Sequence, residues 1–222
     1  MASPKPVTIT AYNLASTLVS ASNQVRDNDP YLDTDYKGVE FTAAKRFSRN
    51  WQMVAGLTLG KNRGGFNNTG GDLNDPNATL FPVGIIGNDS KVGFRMSGSY
   101  RLPKEVTLAG SFISNTGYPY QSQFNLTRAL AAPAGVSLTR ASQTVALAPR
   151  GDERLPQVSM VDLRVSRRFR FGGHSFSPQI DFFNLGNAST VVSLQNAVGS
   201  TYLDPREIVA PRIIRVGFSF DF

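Results

Sequence analysis

Strict two-residue alternation over segments of about ten residues is the feature of this sequence that most restricts its fold. In Trp51–Lys61 every odd position from Trp51 to Leu59 is apolar, and in Val92–Arg101 the even positions are apolar or glycine. A period of two places successive side chains on opposite faces of a strand, whereas a helix would scatter these apolar residues around its axis. The sequence therefore predicts an all-β fold.

The predicted strands are joined by links of two kinds. Short links lie at 48–50, 102–105 and 172–173, and long polar or Gly/Pro-containing links lie at 64–90, 125–156 and 188–211. Sorting of short turns to one rim and long loops to the other is typical of an outer-membrane barrel. We expect an antiparallel transmembrane β-barrel segment of about eight spanning strands, with short periplasmic turns, long extracellular loops and both chain ends on the short-turn rim. The predicted spanning strands are 6–14, 37–47, 51–61, 91–101, 106–120, 158–171, 176–185 and 212–222, with a short extra strand at Val145–Ala148.

The last predicted strand indicates which face meets lipid. One face of it is apolar to the final residue and the other is polar, which fits lipid outside and water inside. The alternative is a soluble ligand-binding β-barrel with the apolar face turned inward, which would crowd phenylalanines in its interior. The apolar positions are Ile214, Val216, Phe218, Phe220 and Phe222.

The same two-residue alternation predicts which charged residues face the lumen. They either pair across strands and hold the register, or line a surface that contacts a plug or a substrate. These predicted lumen residues are Glu40, Arg95, Asp162, Arg164, Arg168, Asp181 and Arg215.

The composition argues against several other functions. The net charge is +7, but basic residues occur singly within strand-like segments, so no nucleic-acid partner is predicted. The chain has no cysteine and one histidine, His174, which leaves its serines without a catalytic base. The acidic stretch 72–77 does not complete a calcium-binding loop. We therefore expect no enzyme activity, no metal and no cofactor.

The motifs that these strands contain, in their order and spacing, resemble the C-terminal barrel of TonB-dependent receptors of the Oar-like group. The resemblance runs from about Thr34 to Phe222. It implies a barrel of about twenty-two strands with an N-terminal plug, importing bulky ligands with energy from TonB. It also implies that the terminal strand Ile214–Phe222 carries the signal read by the outer-membrane assembly machinery. The matching stretches are Thr34–Phe41, Lys45–Met53, Ser97–Pro103, Ala148–Gly151, Asp181–Asn187 and Pro211–Arg215.

Residues 1–222 are thus expected to be the C-terminal portion of such a barrel, without the plug, the TonB-contacting segment or about fourteen earlier strands. The predicted function is that of an outer-membrane transporter or receptor component in a Gram-negative-type bacterium. Its expected partners are membrane lipid, the assembly machinery, an unidentified ligand and, through the missing N-terminal part, TonB. The alternative is a free-standing eight-stranded outer-membrane barrel with a structural or adhesive role.

Overall fold

A computed structural model describes residues 8–18, 33–65, 76–77, 80–87 and 89–222. Its main element is an antiparallel sheet in which seven long strands pair in chain order, β1-β2-β4-β5-β10-β12-β15. This confirms the all-β, antiparallel prediction. In chain order the strands are β1 (Thr34–Ser48), β2 (Trp51–Gly65), β3 (Val83–Ile85), β4 (Val92–Arg101), β5 (Val106–Asn115), β6 (Pro119–Tyr120), β7 (Gln123–Thr127), β8 (Ser142–Ala146), β9 (Glu153–Arg154), β10 (Val158–Arg167), β11 (Phe169–Phe171), β12 (His174–Phe183), β13 (Val191–Leu194), β14 (Pro205–Ile208) and β15 (Ile213–Asp221). Among the described residues, helix is limited to α1 (Arg128–Ala131) and 3-10 turns at Ser16–Leu18, Pro103–Glu105 and Ala132–Ala134.

Three tight connections lie at the same end of the long strands. Between β1 and β2, Arg49 and Asn50 have φ values of 50° and 66°. A two-residue turn with both φ values positive matches the right-handed twist of the paired strands. The β4–β5 connection is the Pro103–Glu105 turn, and Gly172 with φ 60° lies in the connection between β11 and β12. The short links therefore lie where the sequence predicts them.

The predicted strand at 6–14 is wrong for the residues that the structure describes. Residues 8–15 have no strand structure, and residues 6–7 lie outside the described part of the chain. Residues of the long connections, rather than a neighbouring strand, bind this segment. The Tyr12 N–H donates to Asn77 Oδ1 over 2.7 Å, and Thr139 N–H donates to Asn13 Oδ1 over 3.1 Å. The segment thus lies at the long-loop end and not on the short-turn rim, and the described part of the chain has seven long strands where eight were expected.

Two other predicted strands are interrupted. The one expected at 106–120 ends at Asn115 and is followed by three residues outside any strand; at Gly117 the backbone approaches so closely that the carbonyl oxygen of Pro156 would lie 2.5 Å from an added Cβ. Residues Pro119–Tyr120 then pair separately with β9. The strand expected at 158–171 breaks at Arg168, whose backbone N–H donates to the Glu105 carbonyl over 3.1 Å.

The two edges of the sheet are β1 and β15, and no pairing joins them among the described residues. The sheet is therefore open in the described part of the chain. Six antiparallel steps separate the two edge strands, so β1 and β15 run in the same direction.

Buried apolar side chains lie outside the sheet. The long connections fold on themselves as a β7–β8 hairpin, a β13–β14 hairpin and the short β6–β9 pair. The β8 strand confirms the short extra strand expected near Val145, although it ends at Ala146. No helix in the described part of the chain has the length and apolar content needed to cross a lipid bilayer. The buried apolar residues of the described chain are Ala131, Leu138, Val145, Ala146 and Val209.

Candidate functional site on the polar face of the sheet

The strand register assembles the polar positions of successive strands into rows across one face of the sheet. Each row takes one residue from each strand, and the neighbouring rows lie on the same face two residues along. The row with the strongest charges consists of Gln52, Ser99, Ala109, Arg164, Asp181 and Arg215, in strand order from β2 to β15.

Asp181 forms the centre of an ion-paired triad in this row. Arg164 Nε donates to Asp181 Oδ1, and Arg215 Nε donates to Oδ2 at 2.9 Å. Arg215 Nη2 lies 2.8 Å from the same oxygen. The Asp181 side chain is 3% exposed, whereas those of Arg164 and Arg215 are 45% and 56% exposed. One carboxylate thus holds two guanidinium groups, and the triad keeps a net positive charge that faces outward from the strands.

Asp162 makes a second connection on this face. Its Oδ2 accepts a hydrogen bond from Ser111 Oγ at 3.2 Å, and its Oδ1 accepts one from the Asn184 N–H at 2.9 Å. Asn184, which is buried and has φ 50°, binds the carbonyls of Ala188 and Ala210 through Nδ2. Asp162 therefore links β5 and β10 to the corner where β12 ends.

The polar face is concave. A cavity of about 590 Å³ is lined by residues of six consecutive long strands, from Ala44 in β1 to Asp181 in β12. In a flat sheet these outer strands would be roughly 24 Å apart, so the shared cavity indicates that the sheet curves toward this face. Small side chains such as Ser97 and Ala109 line its floor. A neighbouring cavity of about 360 Å³ includes Arg95.

The structure brings together four of the seven residues predicted to face the lumen. Asp162, Arg164, Asp181 and Arg215 have cross-strand partners, which favours the interpretation that they hold the register. The other three are separate. Glu40 lies opposite Thr58, Arg95 lies opposite Gly56, and Arg168 lies in the break between β10 and β11.

Sequence reasoning missed Asn184 and Phe183 as parts of this site. Phe183 lies on the polar face, where its ring is 5.2 Å from the Arg215 guanidinium. The signal for Asn184 was a polar residue placed directly after a strand, where the backbone needs a side-chain acceptor or donor.

The opposite face of the sheet is apolar and uncovered. In β15 the exposed fractions are 59% for Ile214, 76% for Val216 and 74% for Phe218, and Phe222 after it is 94% exposed. Phe220 is 49% exposed, with its ring 6.1 Å from that of Phe171 and 6.0 Å from that of His174. The predicted assembly-signal residues thus form a continuous exposed stripe.

The long connections are fastened to one another by buried polar contacts. Asp89, with a side chain 1% exposed, is paired with Arg154 and also accepts from the Asn62 N–H at 2.6 Å. Ser122 Oγ contacts both Glu153 and, at 2.6 Å, the Tyr202 hydroxyl. Burial, together with the nearby Glu153, raises the pKa of Tyr120 above its usual value.

No metal-binding cluster of three or more His, Asp or Glu side chains occurs among the residues that the structure describes. Of the acidic stretch, positions 72–75 lie outside those residues, and Asn77 uses its amide to bind the Tyr12 backbone. Comparison with protein-family models gives no match for this chain, and neither does comparison with curated proteins.

Proposed function

We propose that this chain forms part of the wall of an outer-membrane transport barrel of the TonB-dependent receptor type. In this proposal the seven long strands cross the bilayer, the tight turns face the periplasm and the long connections face the exterior. The observation that carries it is the position of the polar and apolar side chains on the two faces of the sheet. The sheet exposes its apolar face and joins charges on its concave face, the reverse of a soluble sheet.

The exposed apolar face supports a lipid environment on energetic grounds. Fully burying a Val, Ile or Phe side chain is worth about 1.5–3 kcal/mol, and this face leaves many of them uncovered. A soluble sheet would cover them with a second layer, yet the buried apolar residues of the described chain all lie in the long connections. Lipid supplies the missing cover without a second protein layer.

Lys45 supports the same interpretation at the edge of that face. It lies in register with Met53 on the apolar side, but its Nζ bends to the turn, 2.9 Å from the Ser48 carbonyl and 3.2 Å from the Trp51 carbonyl. The ammonium also lies 4.0 Å from the centre of the Trp51 ring. A lysine on a lipid-facing strand is expected to reach for the interface in this way.

Strand direction constrains how such a wall closes. Because β1 and β15 run the same way, an antiparallel barrel needs an odd number of further strands between them. A barrel of about twenty-two strands would supply about fifteen, which is odd. The free-standing eight-stranded barrel is less well supported, since residues 8–14, on which its eighth strand depended, are not a strand.

The lipid-facing assignment is tested with single cysteines, because the chain has none of its own. Cysteines are placed at Arg215, Val216, Gly217 and Phe218, and the protein is reconstituted in lipid vesicles. We expect a membrane-impermeant maleimide to label positions 215 and 217 through the polar face, and a lipid-soluble maleimide to be needed for 216 and 218. Equal labelling of all four by the impermeant reagent would overturn the proposal.

The receptor assignment is tested at the gene. Sequencing upstream of the Met1 codon should reveal one reading frame that encodes a plug and further strands. A secretory signal placed immediately before Met1 would instead support the free-standing barrel.

A further inference from the structure

The positive charge of the chain is concentrated at the end of the long strands where the tight turns lie. Residues 45–51, 101–105 and 167–174 contain eight Lys or Arg residues and one acidic residue, Glu105, which is paired with Arg170 at 3.2 Å. Asp221, at the end of β15, adds a second acidic residue at this end. At the long-loop end the charges of both signs are mixed, as in the Asp89–Arg154 pair. We name this end of the strands the basic rim. Its basic residues are Lys45, Arg46, Arg49, Arg101, Lys104, Arg167, Arg168 and Arg170.

A groove on the apolar face opens beside this rim. Gly98 and Gly110 lie opposite each other on neighbouring strands and line the floor of an open depression of about 530 Å³. We name it the glycine groove. Larger apolar side chains surround it on four sides: Met96, Phe112 and Val161 toward the long loops, Trp51, Tyr100 and Leu108 toward the basic rim, Met53 on the β2 side and Leu163 on the β10 side.

Two members of the basic rim lie on the same face as the groove and flank it. Lys45 lies opposite Met53, on the β1 side. Arg167 lies opposite Val106, on the β10 side, with its guanidinium 4.5 Å from the Phe169 ring. Each cation is therefore held beside an aromatic ring at the end of the strands, where a lipid headgroup meets its acyl chains.

We propose that the glycine groove and the basic rim form a binding site for one anionic phospholipid, with an acyl chain in the groove and the negatively charged headgroup at the basic rim, attracted by Lys45 on one side and Arg167 on the other. The inference rests on the proposed function, because it requires lipid on the apolar face. Charge complementarity selects the occupant: a net positive edge beside an apolar groove attracts a lipid with a net negative headgroup over a zwitterionic one.

Trp51 provides the readout, since it is the only tryptophan of the chain and lines the groove. The complete chain is reconstituted in phosphatidylcholine vesicles containing phosphatidylglycerol, with bromine on the acyl chains of one lipid at a time. Bromine quenches tryptophan fluorescence on contact. We expect brominated phosphatidylglycerol to quench Trp51 more strongly than brominated phosphatidylcholine at equal mole fraction, and the difference to shrink as salt is raised.

The double substitution Lys45→Gln with Arg167→Gln should lower the relative association of phosphatidylglycerol roughly fivefold or more. The matched control is Lys37→Gln with Lys61→Gln. These lysines are paired in register at the opposite end of β1 and β2, on the same face, so their substitution removes the same charge and should leave the preference unchanged. If the first double variant fails to insert, Arg167→Gln alone replaces it, because it leaves the contacts of Lys45 with the turn intact.

The outcomes separate the two proposals. Equal quenching by the two brominated lipids, or an equal loss of preference in both double variants, would overturn the lipid site and leave the proposed function standing. Absence of quenching by either lipid would show that Trp51 does not face acyl chains, and would overturn both.

Discussion

At the scale of one residue, Asp181 shows how a buried carboxylate is stabilised within the sheet. Its carboxylate is almost fully covered and lies between two guanidinium groups from the strands on either side. Removing one member of such a set leaves the others without compensation, which costs more than forming the pair gains. Because Arg164 and Arg215 are about half exposed, solvent reduces that cost.

We therefore expect Asp181→Asn to lower the temperature at which the reconstituted protein unfolds by roughly 5 °C. The measurement is the loss of the compact electrophoretic form on stepwise heating. Asp221→Asn, at the exposed end of β15, should change that temperature little. A similar shift for both variants would mean that the triad does not hold the strands together.

At the scale of the strand, the sequence predicted which face each side chain lies on, but not which strands pair or in what register. Side-chain alternation is a property of a single segment, so it predicted that Arg164 and Asp181 share one face before any pairing was known. It could not show that Arg215 would join them, because a long connection separates β12 from β15 and leaves their register open. Residues 8–14 show the converse: Ile9 and Ala11 alternate with polar neighbours, but no neighbouring strand pairs with them in the described part of the chain.

Contacts between strands also explain the glycines, whose role a single segment does not reveal. A Cβ added at Gly98 would lie 2.8 Å from the backbone carbonyl oxygen of Gln52, so the two strands would have to shift. We expect Gly98→Ala to destabilise the folded protein by about 1–3 kcal/mol, measured by urea titration in lipid vesicles. Gly173→Ala, where nothing lies within 4 Å of the added atom, is the control and should be close to neutral. Equal effects would argue that strand spacing is not the cause.

At the scale of the whole molecule, the two ends of the sheet differ in every respect that matters for orientation. One end has tight turns, the basic rim and the end of β15, and the other has hairpins packed over a small apolar core. This polarity fixes which end is outside, if the chain inserts as long-looped barrels do.

A cysteine at Gly199, in the long connection between β13 and β14, should be labelled on intact cells by an impermeant maleimide. A cysteine at Gly173, in the turn before β12, should be labelled only after the outer membrane is permeabilised. Both glycines have open space for an added Cβ, so neither substitution should disturb folding. Labelling of position 173 alone on intact cells would reverse the proposed orientation.

The pairing of every long strand with the one before it has a consequence for how the molecule reaches its final state. Each of the three tight turns closes a hairpin between residues near in sequence, which is the quickest kind of β contact to form. The other strand pairs, β2–β4, β5–β10 and β12–β15, join residues farther apart in sequence, as do contacts between the long connections such as Asp89 with Arg154. Folding should therefore begin with the three hairpins at the tight-turn end, and the pairing of hairpins with one another and the contacts between the long connections should follow.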